Sequence, residues 1–306
     1  MSPRSRFPDG GSLRSERLRI GIAIATANRP DIVGETVGHI FLQTRKADAI
    51  LVCSPGPEDV GGLREAYPDV VHIIGPRGLP HQRNRLIEAA QELDILLFID
   101  DDFLMDSNYI AETEAALCDH PEVVLTTGRV VADGIIGDGF SFDEALARLS
   151  IPVAPPTTWL TEVYNGYGCN MAIRLEPVRA NGLKFDEELP LYAWLEDVDF
   201  SRSLAPFGRI VRVEHAIGVH LAVKSGRQRG VRLGYSQIAN PCYLMSKGTC
   251  SWKKGLFHIS RNVAANILGT LRGEKAVDRP GRLRGNLRAV ADLVTQRLAP
   301  SRALRL

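Results

Sequence analysis

The stretch Ile95-Leu96-Leu97-Phe98-Ile99 is apolar at every position and stops abruptly at Asp100-Asp101-Asp102. A strand without polar alternation has no face to offer to water, so it must be covered on both sides. Three further runs share this character. Ile20 to Thr26 ends at Asn28-Arg29-Pro30, Ala49 to Cys53 at Ser54-Pro55-Gly56-Pro57, and Val70 to Ile74 at Gly75-Pro76. Each stops on residues that do not continue a strand. Helical spacing separates them, from Asp31 to about Gln43 and from about His81 to Leu93. Alternation of this kind predicts an α/β fold with a mostly parallel central sheet. In such sheets ligands bind beyond the carboxyl ends of the strands, where both the Asn28-Arg29 turn and the acidic triplet would lie.

Past residue 105 the rhythm is lost. A helix is expected from Asn108 to Cys118, a strand over Val123 to Thr127, and then a Gly/Pro-rich stretch from Asp133 to Pro156. Apolar periodicity returns over Tyr164 to Ile173, Glu196-Asp197 opens a helix to about Ala205, and Arg209 to Val213 reads as a strand. This predicts a polar leader over 1–17, a main domain over 18–245 and a basic helical extension over 246–306. The composition, 44% hydrophobic and 24% charged, excludes global disorder. Five dispersed cysteines without C-x-x-C spacing point to neither a disulfide framework nor a zinc site. With no signal-like leader and no membrane-length apolar run, a cytoplasmic protein is expected.

The net charge of +1 conceals a division. Residues 224–306 carry 17 Lys and Arg against 3 Asp and Glu, while the rest carries 20 against 33. A basic segment on an acidic body meets phosphate, lipid headgroups or nucleic acid, or is a solvated face. The tail is poor in interleaved aromatics and no recognition motif is visible, so nucleic acid is not the expected partner.

Three adjacent carboxylates at the end of a buried strand repel one another, and a cation relieves that repulsion. Hard oxygen ligands suit Mg²⁺ or Mn²⁺ bridging carboxylates to substrate phosphates. A solvated turn or a helix N-terminus is the other reading of the same residues.

Taken in order, Thr26-Ala27-Asn28-Arg29, Gln82-Arg83-Asn84, Leu97 to Asp102, Gly168 to Arg174 and Trp194 to Phe200 resemble the family-2 glycosyltransferases of GT-A fold, over roughly residues 18 to 250. The resemblance implies a Rossmann-like nucleotide-binding half, an acceptor-binding half and an inverting transferase. Asp100-Asp101-Asp102 matches the family's D-x-D motif, with Asp100 on the ribose and base side and Asp102 on the metal. Thr26, Asn28, Arg29, Arg83 and Asn84 match positions beside the nucleotide, with a surface ion pair as the other reading of Arg83. Ser54 stands where the family commonly has an Asp that reads the base, which leaves the base open. Glu196-Asp197 matches the family's E-D motif, making Asp197 the general base; favourable placement at a helix N-terminus is the alternative for this pair. Gly168, Asn170 and Trp194 fall on the acceptor side. His215 and His220 are both candidate metal ligands.

On a helix, Leu256, Ile259, Val263, Ile267 and Leu271 form one apolar stripe, expected to pack on the chain's own domain or, with the neighbouring cations, to lie in an anionic membrane surface. The region from Asp278 to Asn286 and the helix after it resemble tails of bacterial exopolysaccharide transferases. Those act on polyprenyl-diphosphate-linked acceptors, which places a lipid-linked or saccharide acceptor, and a peripheral position on the inner face of the plasma membrane, among the expectations. A nucleotidyltransferase is the enzymatic alternative, but the chain lacks an early Gly-rich loop with Lys.

Overall fold

The computed structural model describes residues 17–135, 137–190, 192–223, 230–274 and 277–306. All but the last residue of the expected leader fall outside those residues, as do Lys224, Arg227 and Arg229, the cations that follow His220 in sequence.

The first half alternates as expected. Strands β1 (Ile20–Ala25), β2 (Ala49–Ser54), β3 (Val71–Ile74) and β4 (Ile95–Asp100) are joined through helices α1 (Pro30–Ile40), α2 (Leu63–Ala66) and α3 (Leu79–Ala89). They pair in parallel in the order β3-β2-β1-β4, with Ala25 opposite Asp100. Ile20, Ile22, Ile24, Ile95, Leu97 and Ile99 face one core, which α1 closes with Val33, Val37 and Ile40. Ala23, Leu51, Cys53, Leu96 and Phe98 face a second core, which α3 closes with Leu86. Successive residues of β1, β2 and β4 thus enter different cores, which is why these runs are apolar throughout; β3 departs from the expectation, since at the sheet edge its Val71 and Ile74 are exposed.

The second half comprises β5 (Phe103–Met105), α4 (Tyr109–Asp119), β6 (Val123–Asp133), α5 (Phe142–Leu149), β7 (Leu160–Glu162), β8 (Asn170–Arg174), α6 (Leu175–Ala180), α7 (Glu196–Leu204) and β9 (Arg209–His220). The sheet continues β4-β8-β6-β9-β5, with β7 on β9; β8 runs antiparallel to both its neighbours, while β6 and β9 are parallel. Both β6 and β9 run well past the ends expected from sequence. Gly128 and Gly218, inside the two strands, are points of close approach: a Cβ on Gly128 would lie 2.4 Å from the Ala216 carbonyl, and one on Gly218 would lie 2.2 Å from the Phe103 ring. Register shifts absorb the length difference, and Asp133 ends opposite His220.

Helices α8 (Gly230–Lys247), α9 (Trp252–Leu271) and α10 (Arg279–Val294) follow. Leu244 and Met245 of α8 pack on Leu189, Leu195 and Val198, the last of these in α7. Lys247 Nζ reaches the buried Asp199 at 2.8 Å and Asp186 at 2.5 Å. The stripe on α9 corrects one expectation. Leu256, Ile267 and Leu271 are exposed and only Ile259 and Val263 are partly covered, whereas Gly255, Asn266 and Gly269 are buried. Asn266 turns inward because its amide donates to Gln237 Oε1 at 2.8 Å and to Asn286 Oδ1 at 2.9 Å. Among the described residues no helix is long and apolar enough to cross a membrane.

Candidate active site

The end of β4 and the turn after it sort the three carboxylates. Asp101 points inward: Thr26 Oγ1 donates to it at 2.6 Å and Arg29 Nη1 at 2.8 Å, while Thr36 Oγ1 binds its carbonyl at 2.6 Å. Burial, with Asp102 adding, pushes its pKa up to about 7. Asp102 accepts the Val223 N–H at 2.8 Å and lies 3.4 Å from Arg29 Nη1. Burial opposes its ionisation, yet His220 and Arg29 hold its carboxyl below the usual range. Asp100 is the most open of the three, with Oδ2 3.9 Å from His220 Nε2; Asp102 Oδ1 is 3.5 Å from the same nitrogen. One ligand atom from each of Asp100, Asp102 and His220 lies within 4.8 Å of the others.

Of the two candidate histidines, only His220 enters this group. His215 sits in the β9 bulge, exposed, 3.9 Å from Glu112 of α4. His220 owes its aim to Asp133, a residue that nothing in the sequence marked. Asp133 Oδ1 holds His220 Nδ1 at 3.0 Å, and Asp133 Oδ2 accepts from the Tyr167 hydroxyl at 2.8 Å. The ring's other nitrogen therefore faces Asp100 and Asp102. Burial opposes charge on His220, but Asp102 and Asp133 outweigh it and raise the imidazole to about 10. A metal-binding imidazole is neutral, so a cation held there displaces a proton.

Arg83 is not the surface pair that its sequence position also allowed. Its guanidinium is fully buried against the Phe98 and Phe185 rings, 5.4 Å and 5.3 Å from their centroids. It donates to Glu196 Oε1 at 2.6 Å and to the Gly168 carbonyl at 2.7 Å, and lies 3.4 Å from Asp100 Oδ1. The acidic triplet and the Glu196-Asp197 pair are thereby joined in one site. Burial pushes Glu196 up to about 8 against the opposing effect of Arg83. Asp197, at the start of α7, is only partly covered and accepts the N–H groups of Val198 at 2.8 Å and Gly168 at 3.2 Å. Burial raises its pKa, against those bonds and Arg83. The turn into α7 places both Ala193 (φ 50°) and Leu195 (φ 75°) at positive φ, a strained approach of the kind that clusters at functional sites.

Other expected site residues are engaged by neighbours within the fold. Ser54 is buried and its hydroxyl donates to the Gly56 carbonyl at 2.6 Å, with His72 Nε2 at 2.7 Å. The carboxylate near the first turn is Asp59, which accepts the N–H groups of Asn28 at 2.6 Å and Gly56 at 2.8 Å, with Arg77 at 3.6 Å. Asn84 is bonded to the Phe185 backbone and to Glu187, and the buried Asn170 to Thr127 and the Gly128 N–H. Trp194 sets its ring edge-on to His258, 5.8 Å between centroids, and its carbonyl accepts from Asn240.

Solved structures with this fold include several glycosyltransferases. A mannosyltransferase, PcManGT from Pyrobaculum calidifontis, in complex with GDP-Man and Mn²⁺, aligns over 94% of this chain and 85% of its own at TM-score 0.55 and 15% identity. Residues 1–349 of S. aureus TarS, in complex with UDP-GlcNAc, align over 74% of this chain and 67% of that one, at TM-score 0.52 and 15% identity. GalNAc-T7 with UDP, GalNAc and Mn²⁺ aligns over 92% of this chain and 58% of its own, at TM-score 0.59 and 16% identity. At these identities the likeness shows the GT-A fold. No curated protein matches the sequence. The sequence model described as glycosyl transferase family 2 matches residues 21–180, just over half of the chain, from β1 to the end of α6. The chain belongs to glycosyltransferase family 2 and is a glycosyltransferase of GT-A fold.

Proposed function

We propose that the protein moves a sugar from a nucleoside-diphosphate donor to a hydroxyl acceptor with inversion, Asp197 acting as general base. The observation that carries this is the Arg83 bridge, which puts a partly exposed aspartate on α7 in the same site as the carboxylates at the end of β4. In the reaction Asp197 takes the acceptor hydroxyl proton as that oxygen bonds to the anomeric carbon. The bond from that carbon to the diphosphate oxygen breaks on the opposite face, and the nucleoside diphosphate departs. Glu196, buried against Arg83, positions rather than reacts.

Two carboxylates and one imidazole form a donor set that fits Mn²⁺ or Mg²⁺, and we assign Asp100, Asp102 and His220 to that cation. Bound there, the cation supplies Lewis-acid stabilisation of the charge on the leaving diphosphate. Thr26, Asn28, Arg29 and Asp101 form the donor side, Gly168 and Trp194 border the acceptor side, and Ser54, Asn84 and Asn170 support these surfaces from beneath. A lipid-linked or saccharide acceptor in bacterial cell-surface polysaccharide synthesis, with residues 247–306 against an anionic membrane, fits the basic tail. A thermal-shift panel of UDP- and GDP-sugars with and without Mn²⁺ tests the assignment. Stabilisation by one donor that depends on metal is the expected result, and none by any donor would remove the reading.

Asp133 gives a second test. Asp133→Asn loses the charge that orients His220 while keeping the shape, and an outer-shell loss of this kind typically weakens metal binding by roughly 10- to 100-fold. Mn²⁺ titration followed by donor-induced stabilisation should show that weakening. Unchanged Mn²⁺ affinity would mean that His220 is held without Asp133.

A further inference from the structure

Helices α9 and α10 are packed inside out. Apart from Ile259 and Val263, which are partly covered against α8, the residues these helices bury against the rest of the chain are small or polar: Gly255, Asn266 and Gly269 on α9, and Gly281, Gly285, Asn286 and Ala289 on α10. Contact with α8 is close enough that a Cβ on Gly285 would lie 2.1 Å from the Val231 carbonyl, and one on Gly234 would lie 2.0 Å from the Arg282 carbonyl. Most of the large apolar side chains are left outside. Leu256, Phe257, Ile267 and Leu271 of α9 and Leu287 and Val294 of α10 are all exposed, Leu271 and Val294 at 78% each. A helix that is solvated on its outer face is expected to show the reverse pattern. Small residues within and large apolar residues without is the packing of helices whose outer surroundings are themselves apolar.

The charge around these faces selects the surroundings. α9 carries no acidic residue, and its exposed Lys253 and Arg261 flank Phe257 in sequence. Arg284 and Arg288, also exposed, flank Leu287 on α10. The one acid within α10, Asp292, is engaged by the Tyr235 hydroxyl at 2.8 Å and Arg302 Nε at 2.8 Å. Exposed apolar side chains interleaved with cations of one sign match a surface that is apolar beneath and negative on top.

We propose that the exposed faces of α9 and α10 together form a seat for an anionic lipid bilayer, in which Leu256, Phe257, Ile267, Leu271, Leu287 and Val294 enter the acyl boundary while Lys253, Arg261, Arg284 and Arg288 lie at the headgroups. This deepens the proposed membrane-side function and rests on it for the acceptor alone. The two helices lie in the interface rather than cross it, since neither is apolar enough to span.

The test floats the full chain with vesicles of phosphatidylglycerol mixed into phosphatidylcholine, against vesicles of phosphatidylcholine alone. The wild type is expected to float with the anionic vesicles and at least about tenfold less with the neutral ones, with binding that weakens as salt rises. L271E/L287E, at positions where the side chains touch mainly solvent, is expected to lose about tenfold or more of that binding at unchanged thermal stability. R284E/R288E is expected to lose binding and its salt dependence together. Failure to float with anionic vesicles, or wild-type flotation of L271E/L287E, overturns the proposal. So does a dimer in vesicle-free solution that L271E/L287E converts to monomer, which would make this face an interface between copies of the chain. Metal-dependent donor stabilisation, measured on the same proteins, separates the two readings. If it persists while flotation fails, the membrane seat alone is lost; if it is absent while flotation holds, the seat stands without the transferase assignment.

Discussion

Asp197→Asn is expected to lower sugar transfer by roughly 10²- to 10⁴-fold, the contribution of a positioned general base, while leaving donor affinity within about twofold. The side chain that can take a proton is lost, but the donor side, built from Thr26, Arg29, Asp100 and Asp101, is untouched. The substitution is nearly isosteric with one local consequence. Asp197 accepts two backbone N–H groups, from Val198 and Gly168, and an asparagine can accept only one with its single oxygen. That lost bond costs about 1 kcal/mol, so a thermal scan must accompany the rate measurement. Donor-induced stabilisation then distinguishes loss of chemistry from loss of binding. In the wild type, burial raises Asp197 above the usual carboxylate range, so activity should fall as pH drops through that raised value, and this limb should vanish in the variant. Transfer within tenfold of wild type would remove Asp197 as the base.

The part of the fold that the sequence displayed is the part where burial is complete. β1, β2 and β4 divide their side chains between two cores, so their runs are uniformly apolar and break at real strand ends, whereas β3 at the sheet edge leaves Val71 and Ile74 exposed. β6 concealed its length because Gly128 sits mid-strand, where the Ala216 backbone comes too close for a side chain, and β9 concealed its length because the polar Glu214-His215 of the bulge interrupts its apolar run. With those ends hidden, Asp133 looked like the start of a loop and its pairing with His220 was invisible. The choice between His215 and His220 rested on the same bulged register, which no spacing reports. Arg83 was legible as a site residue but not in its role, since burial against Phe98 and Phe185 depends on a loop about 100 residues away in sequence. The stripe on α9 has the same periodicity whether it faces the protein or the outside. Only Asn266 and the flanking glycines, bonded and packed inward, fix which way it turns.

Arg83→Met is expected to cost about 3 kcal/mol of folding stability, the lower end of the range for removing one partner of a buried ion pair. Methionine keeps apolar bulk against Phe98 and Phe185, so the loss is chiefly electrostatic. Glu196, 5% exposed, would keep no cation within reach, and the Gly168 carbonyl would lose its donor. Glu196 limits the cost by taking up a proton. Burial already raises its pKa from 4.5 to about 8 in the presence of Arg83, and removing the guanidinium raises it further. Between those values the folded state binds the Glu196 proton more tightly than the unfolded state, so this group's contribution to stability declines as pH rises. In Arg83→Met the decline continues to higher pH, so the gap between variant and wild type should be small at acid pH and widen through neutral into alkaline conditions. Urea denaturation across that range measures it. Removing both charges should be milder than removing one, because a buried pair replaced by neutral groups leaves no uncompensated ion. R83M/E196Q is therefore expected to recover at least about half of the loss at pH 8. If Arg83→Met instead stays within about 1 kcal/mol of wild type, or if the double variant is as unstable as the two single losses added, the bridge between the triplet and α7 is not what holds the site together.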